Sequence, residues 1–300
     1  MTQAATSTMT TTDAPNEKPY LTITPPQGWA PINVQELWAY RDMVWRMILR
    51  DIKSRYKQSA LGPTWVIIIP LFQAGLFSVI FGTLAGLPTG GVPAFVFTYV
   101  GMLVWQQFNR AFSQTAGCIA TNENLITKVY FPRLIAPISA VCGSVLDLLF
   151  GIVILTIMLI ATGILPPIQI LLAPLYIILS MIVAMGVGIW IACFSVKFRD
   201  LRYASGFLTQ FIMWLTPVVY SSEIVLDSER LPESIRPIVE VLYQINPLFV
   251  AVEGFRWTVW GHAPGEPTIY TAIGVGLALL ILFGGLLYFR RVDSTVADVI

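Results

Sequence analysis

A single histidine, His262, is all the imidazole in this 300-residue chain, and it sits in a Gly/Pro-rich turn. That scarcity excludes most histidine-based metal sites and general-base chemistry. The three cysteines, Cys118, Cys142 and Cys193, lie in or beside apolar runs without CxxC spacing, so neither a zinc site nor a disulfide framework is supported. Charge is scarce as well: only 12% of residues are Asp, Glu, Lys or Arg, against roughly 25% in soluble domains. There is no G-x-x-x-x-G-K-S/T loop, no H-E-x-x-H and no G-x-S-x-G. The chain therefore carries no P-loop for ATP and no zincin or hydrolase signature, and no catalytic, cofactor or metal residues are expected on it. The net charge of +1 gives no reason to expect a nucleic-acid partner.

What the chain has instead is apolar length. It is 56% hydrophobic, with a mean hydropathy of +0.72, which indicates an all-α polytopic membrane protein. Residues 1 to 32, rich in Thr, Ser and Pro, lack an apolar signal-peptide core and read as a disordered cytoplasmic tail. From Asn33, with Glu36 three residues on, a capping box opens an amphipathic helix carrying Val34, Leu37, Trp38, Trp45 and Ile48 at helical spacing. Arg41, Asp42, Arg46 and Arg50 interrupt that face. Trp on one side and Arg on the other place such a helix in the headgroup plane, or against a partner. A basic linker to residue 57 then leads into a transmembrane domain over residues 58 to 300.

Six runs reach the ~20 residues a membrane helix needs: residues 63 to 86, 94 to 117, 134 to 162, 168 to 195, 204 to 222 and 268 to 289. The connections at 87 to 93 and 163 to 167 hold no Lys or Arg, whereas Lys128, Arg133, Lys197, Arg199, Arg202, Arg290 and Arg291 fall on the opposite side. The positive-inside rule then puts both termini in the cytosol.

Two connections carry more than topology. Residues 121 to 133 form a charged island, read either as a short helix capped by Thr121 or Asn122 and stopped by Pro132, or as an ordinary interfacial loop. Its outward face would carry Glu123, Asn124 and Lys128. Residues 223 to 267 are long and extracytoplasmic. Within them a helix over 235 to 243 and another from Asn246-Pro247 to Trp260, too short to cross, suggest a re-entrant hairpin or a surface amphipathic segment.

Inside the second run, Gln106, Arg110, Ser113 and Gln114 share one helical face. They line a hydrated path, or they glue the bundle with Arg110 reaching toward the cytosol. Tyr99, Trp105, Phe108 and Phe112 stand beside them; Phe72, Phe77, Phe207, Phe211, Trp214 and Tyr220 give aromatic surface on the first and fifth runs. Asp147, the one carboxylate deep in the third run, reads as structurally paired or as a proton relay.

Several separated stretches resemble a known family: YKQSALGPTWVIIIPL (56 to 71), NLITKVYFPR (124 to 133), FRDL (198 to 201), LTPVVY (215 to 220), INPL (245 to 248), EGFRW (253 to 257) and the terminal ADVI. In this order they resemble the permease subunit of type-two ABC polysaccharide exporters, the Wzm-like family. The resemblance implies a bacterial inner-membrane half-transporter that forms a homodimer and docks two copies of a separate ATPase. That ATPase would bind ATP and Mg, and the pair would export lipid-linked, O-antigen-like polysaccharide. It implies that Trp38, Arg41, Trp45 and Arg46 belong to an interface helix. Glu123, Asn124, Leu125, Ile126 and Lys128 would form a coupling helix within 121 to 131. Phe72, Tyr99, Gln106, Arg110, Gln114, Phe211 and Trp214 would line a conduit, and Tyr220, Asn246, Pro247, Glu253 and Arg256 would belong to periplasmic gate helices within 223 to 260. An exporter of teichoic acid, capsule or another lipophile shares these features, and a membrane-embedded glycosyltransferase is the reading from outside transport.

Overall fold

The computed structural model describes residues 34–57, 62–129, 131–198, 200–226, 232, 234–261 and 265–299. The expected N-terminal tail, the Asn33 cap, His262 and Arg199 lie outside them. Thirteen α-helices and no strand occur among the described residues. In chain order they are α1 (Val34–Ala39), α2 (Arg41–Tyr56), α3 (Trp65–Phe77), α4 (Ala94–Ala116), α5 (Cys118–Thr121), α6 (Glu123–Ile126), α7 (Ile135–Thr162), α8 (Ala173–Lys197), α9 (Asp200–Leu215), α10 (Glu223–Leu226), α11 (Arg236–Gln244), α12 (Pro247–Trp260) and α13 (Ile269–Val299).

Helix α4 is the axis of the bundle. It is flanked by α3, α7, α8 and α12, and Val100, Phe108, Ala111 and Phe112 on it are completely buried. Its 23 residues span roughly 34 Å at 1.5 Å per residue, enough to cross the hydrocarbon. The reason it lies inside is its composition: Gln106, Gln107, Asn109 and Arg110 are costly against acyl chains and are better met by protein.

The outer helices show the opposite character. Trp65–Leu84, Ile135–Thr162, Ile168–Lys197 and Ile269–Val292 are each long and apolar enough to cross a membrane, and α11 with α12, bent by 72°, makes a fifth if the pair is one broken span. They leave large apolar side chains bare, Phe72, Ile160 and Leu280 among them. A soluble surface rarely shows so much contiguous apolar area, whereas lipid covers it at no cost. The first crossing changes character on the way, since α3 continues as a π-helix over Ser78–Leu84. The chain reverses after α7 at Gly163, whose φ of 68° is the left-handed conformation glycine adopts without strain.

Three expected boundaries differ: the last run, expected to end at 289, continues in α13 to Val299. The run at 204 to 222 becomes α9, which starts four residues earlier and stops at Leu215. Pro217 explains the stop, because it has no N–H to return to the preceding turn. At 16 residues, α9 is about 24 Å long, short of the ~30 Å hydrocarbon layer. The amphipathic N-terminal element is also two helices rather than one, broken at Tyr40, and the second runs through the basic linker to Tyr56.

Candidate functional site

The end of the bundle where α2, α5 and α6 meet the starts and ends of the long helices forms one assembly. Met47 of α2 is buried in a cluster with Cys118, Ile119, Phe131, Ile135, Cys193 and Phe289, and Ile48 is buried too, so burial of apolar area holds this helix down. Trp38 and Trp45 do the reverse: they are 71% and 59% exposed. The sequence had set Trp against Arg on opposite sides. In the structure Arg41 lies over the Trp38 ring, 5.8 Å from its centroid, and donates to the Trp38 carbonyl. Arg46 is likewise exposed. The Met and Ile positions, not the Trp positions, are the packing face.

The charged island takes a form between its two readings. It is a single helical turn, α6, next to α5, and it ends at Ile126, well before Pro132. Glu123, Asn124 and Lys128 are exposed, while Leu125 and Ile126 are half-buried against the α2 cluster. Asn122 does not cap α6 with its side chain. Its amide instead donates to the Cys118 carbonyl at 2.8 Å, and its oxygen accepts from Arg50 of α2 at 2.7 Å. The cap is lost because a guanidinium offers the side-chain oxygen a stronger, charge-assisted partner.

Besides this packing, two arginines bond α2 to other helices among the described residues, Arg50 being one. The other is Arg55, which donates to Asp147 of α7 at 2.6 Å; Arg110 of α4 pairs with the same Asp147 oxygen. Gln114, with its amide oriented to satisfy both neighbours, donates to the Ala140 carbonyl at 2.9 Å and accepts from Arg55. Gln106 bonds Gln73 of α3, and Gln107 donates to Ser144 of α7 at 2.8 Å. The polar face of α4 is thus spent on α2, α3 and α7 of the same chain. Tyr99, also expected to line a conduit, is 2% exposed and donates to the Gly151 carbonyl at 3.1 Å. Of the conduit candidates, only Phe72, Phe211 and Trp214 are bare, at 72%, 54% and 52% exposure. Trp214 meets Phe77 and Phe81 edge-on, joining α9 to α3, and Phe207 packs on Phe211 at 4.7 Å between ring centroids.

At the other end, Asn246 caps α12 by accepting from the Leu248 N–H at 3.0 Å, and Pro247 occupies the first turn. Two turns further, Glu253 and Arg256 form a completely buried ion pair at 2.9 Å. Arg256 also donates to the carbonyls of Pro217 (2.6 Å), Val218 (2.6 Å) and Tyr220 (3.3 Å), and its guanidinium lies 3.9 Å from the Phe97 ring centroid. These carbonyls belong to the segment that unwinds after α9. The arginine fork takes over from helical N–H groups that Pro217 and the unwinding withdraw. Tyr220 donates to the Trp214 carbonyl at 2.8 Å and accepts from the Tyr243 hydroxyl at 3.1 Å, tying the same segment to α11.

The unwound segment lies so close to α4 that position 101 has no room for a side chain: a Cβ on Gly101 would collide with the Val218 carbonyl and the Arg256 fork. Gly101→Ala is expected to lower stability by about 1–3 kcal/mol, the cost of overpacking, read as a lower thermal midpoint in detergent.

The ABC-2 type transporter family model matches residues 43 to 260, which runs from α2 through α12 and takes in both ends just described. Among curated proteins, the O-antigen export system permease protein RfbA of Myxococcus xanthus is 25% identical over 259 residues, covering 86% of this chain and 96% of that protein. The protein of the same name from Klebsiella pneumoniae is 26% identical over 202 residues, covering 67% of this chain and 77% of its own. With the family model spanning well over half its length, the chain is a membrane permease belonging to the ABC-2 type transporter family.

Proposed function

We propose that this chain is the membrane-spanning half of an ATP-driven exporter that moves lipid-linked polysaccharide of the O-antigen type out of the cytosol. Two copies form the conduit and two copies of a separate ATPase dock on the face made by α2 and α6. Each copy contributes six crossings, with α4 and the short α9 counted among them, and both termini face the cytosol of a bacterial inner membrane. The re-entrant pair α11 and α12 forms the outer gate.

The observation that carries this reading is the pair of links Arg50–Asn122 and Arg55–Asp147. They connect the exposed turn at Glu123, Asn124 and Lys128 to helices α4 and α7 through α2. A push on that turn reaches the bundle through charge-assisted bonds rather than a flexible linker. The bare rings of Phe72, Phe207, Phe211 and Trp214 supply apolar faces suited to the C–H surfaces of sugar rings. Both curated relatives carry O-antigen export in their names, which supports a glycan cargo.

Purification of the tagged chain from native membranes in mild detergent tests the proposal. A nucleotide-binding subunit is expected to co-elute in equal amount and to hydrolyse ATP. Recovery of intact chain without such a partner, repeated in several detergents, would overturn it.

A further inference from the structure

Between α7 and α8, at the end where Gly163 turns the chain, lies a groove of about 480 Å³. Its floor is buried: Leu155 and Leu159 of α7, Ala173 and Ile177 of α8 and Phe255 of α12 are each at most 9% exposed. Its rim is bare, with Ile160 and Leu165 at 76% and 90% exposure. The connection runs from Gly163 through Pro166 and Pro167 into a 3-10 helix at Ile168–Leu172. It does not close as a tight turn, so Phe255 can form the floor between the two helices. Both helices belong to segments long and apolar enough to cross a membrane, so the groove opens on lipid.

Its dimensions decide what can occupy it. Water does not suit it, because a water needs about two to four polar partners. Among the described residues the wall carries one polar side chain, Thr156, whose hydroxyl already donates to the Ile152 carbonyl at 2.9 Å. The N–H groups of Gly163 and Ile164 are likewise spent, on the Ile160 and Leu159 carbonyls. A helix from a second copy does not fit. From Ile152 to Gly163 the wall is about 16 Å long at 1.5 Å per residue. Spread over that length, 480 Å³ leaves a cross-section of about 30 Å². A helix with its side chains is ~10–12 Å wide, about three times that area. A single file of methylenes, each about the size of a water, fits the width. The length matches as well, since 16 Å is about half of the ~30 Å hydrocarbon layer, the depth of one leaflet.

We propose that this groove holds one acyl chain of a membrane phospholipid, bound as a structural lipid in the leaflet at the Gly163 end. The proposal rests on α7 and α8 crossing the membrane. Only the name of the leaflet, the outer one, comes from the orientation proposed above; the conduit, the gate and the ATPase play no part. An uncharged wall leaves the headgroup at the interface unselected, and the site reads chain length instead. A polyprenyl tail, branched along its length and longer than one leaflet, matches this narrow slot less well.

The test uses the full-length chain in mild detergent, with native mass spectrometry counting the lipids that survive stepwise activation. Dipalmitoyl phosphatidylcholine, dipalmitoyl phosphatidylglycerol, dihexanoyl phosphatidylcholine and a polyprenyl phosphate serve as probes. One dipalmitoyl lipid per chain is expected to persist after the others have left, whichever headgroup it carries, and the dihexanoyl lipid should bind about tenfold more weakly. Thr156→Trp, which places an indole in the groove from an exposed position, should weaken retention about tenfold. Ile157→Trp, its neighbour on the exposed apolar surface outside the groove, should not. Ile160→Trp fills the groove from its rim and keeps the test open if Thr156→Trp fails to fold. Retention unchanged in the groove-filling variants, or tighter binding of the polyprenyl phosphate than of the dipalmitoyl lipids, would overturn the proposal. No arm of the test requires an ATPase, so the groove can fail while the exporter reading stands, and the reverse.

Discussion

Arg256→Met is expected to abolish recovery of folded protein at growth temperature. Arg256 is completely buried, and its fork holds Glu253 and three main-chain carbonyls. Removing one partner of a buried ion pair costs about 3–5 kcal/mol, because the stranded charge stays buried. The three carbonyls of the unwound segment lose their donor at the same time. Arg256→Lys keeps the charge but replaces a planar fork by a single ammonium, so it should retain only part of the stability. Combining Arg256→Met with Glu253→Gln should recover some of the loss, since no naked carboxylate remains. Monodisperse yield on size exclusion and the thermal midpoint in detergent report these differences. A folded Arg256→Met protein as stable as its parent would show that the fork is dispensable.

The opposite signature is expected at the other end. Glu123→Ala combined with Lys128→Ala removes two exposed side chains. Stability should stay within about ±0.5 kcal/mol. In a reconstituted complex, however, transport-coupled ATP hydrolysis should fall about tenfold, the equivalent of ~1.4 kcal/mol of lost coupling contact. Arg50→Ala should lower coupled hydrolysis as well, with an added loss of about 1–3 kcal/mol in stability, because it strands the buried Asn122 oxygen that bridges α2 and the exposed turn. Unchanged coupled hydrolysis in both variants would remove this turn from the docking surface. Loss of folding together with hydrolysis would mean that it is structural.

How legible these two ends were differs for physical reasons. The long apolar helices followed from composition: α4, α7 and the segment through α8 begin and end within two residues of the expected limits. The Asn246-Pro247 start of α12 was equally plain, because capping chemistry is local. The ion pairs were not. Arg55 and Asp147 are separated by 92 residues, so no pattern in either segment announces the bond. Of the two readings of Asp147, structural pairing is the one its bonds to Arg55 and Arg110 match, as expected of a carboxylate that cannot stay alone in hydrocarbon. Glu253 and Arg256, by contrast, share a helical face three residues apart and could be paired on paper. What the sequence concealed was their burial, which depends on Pro217 ending α9 and on Gly101 admitting the backbone that follows. The bare Trp38 and Trp45 fit a helix in the headgroup plane or one against a partner alike, because hydrophobicity alone does not separate the two.

The π-helical stretch at Ser78–Leu84 stores surplus chain. Each of its turns carries more residues than an α-turn does, so the first candidate span ends wider than it begins. Releasing one residue from that reserve would lengthen the rod by about 1.5 Å and swing everything beyond it by about 100°. The spine of hydrogen bonds would survive the change, shifted by one carbonyl. The far end of the first candidate span thus holds more residues per turn than the helix that leads into it, with no loop between the two.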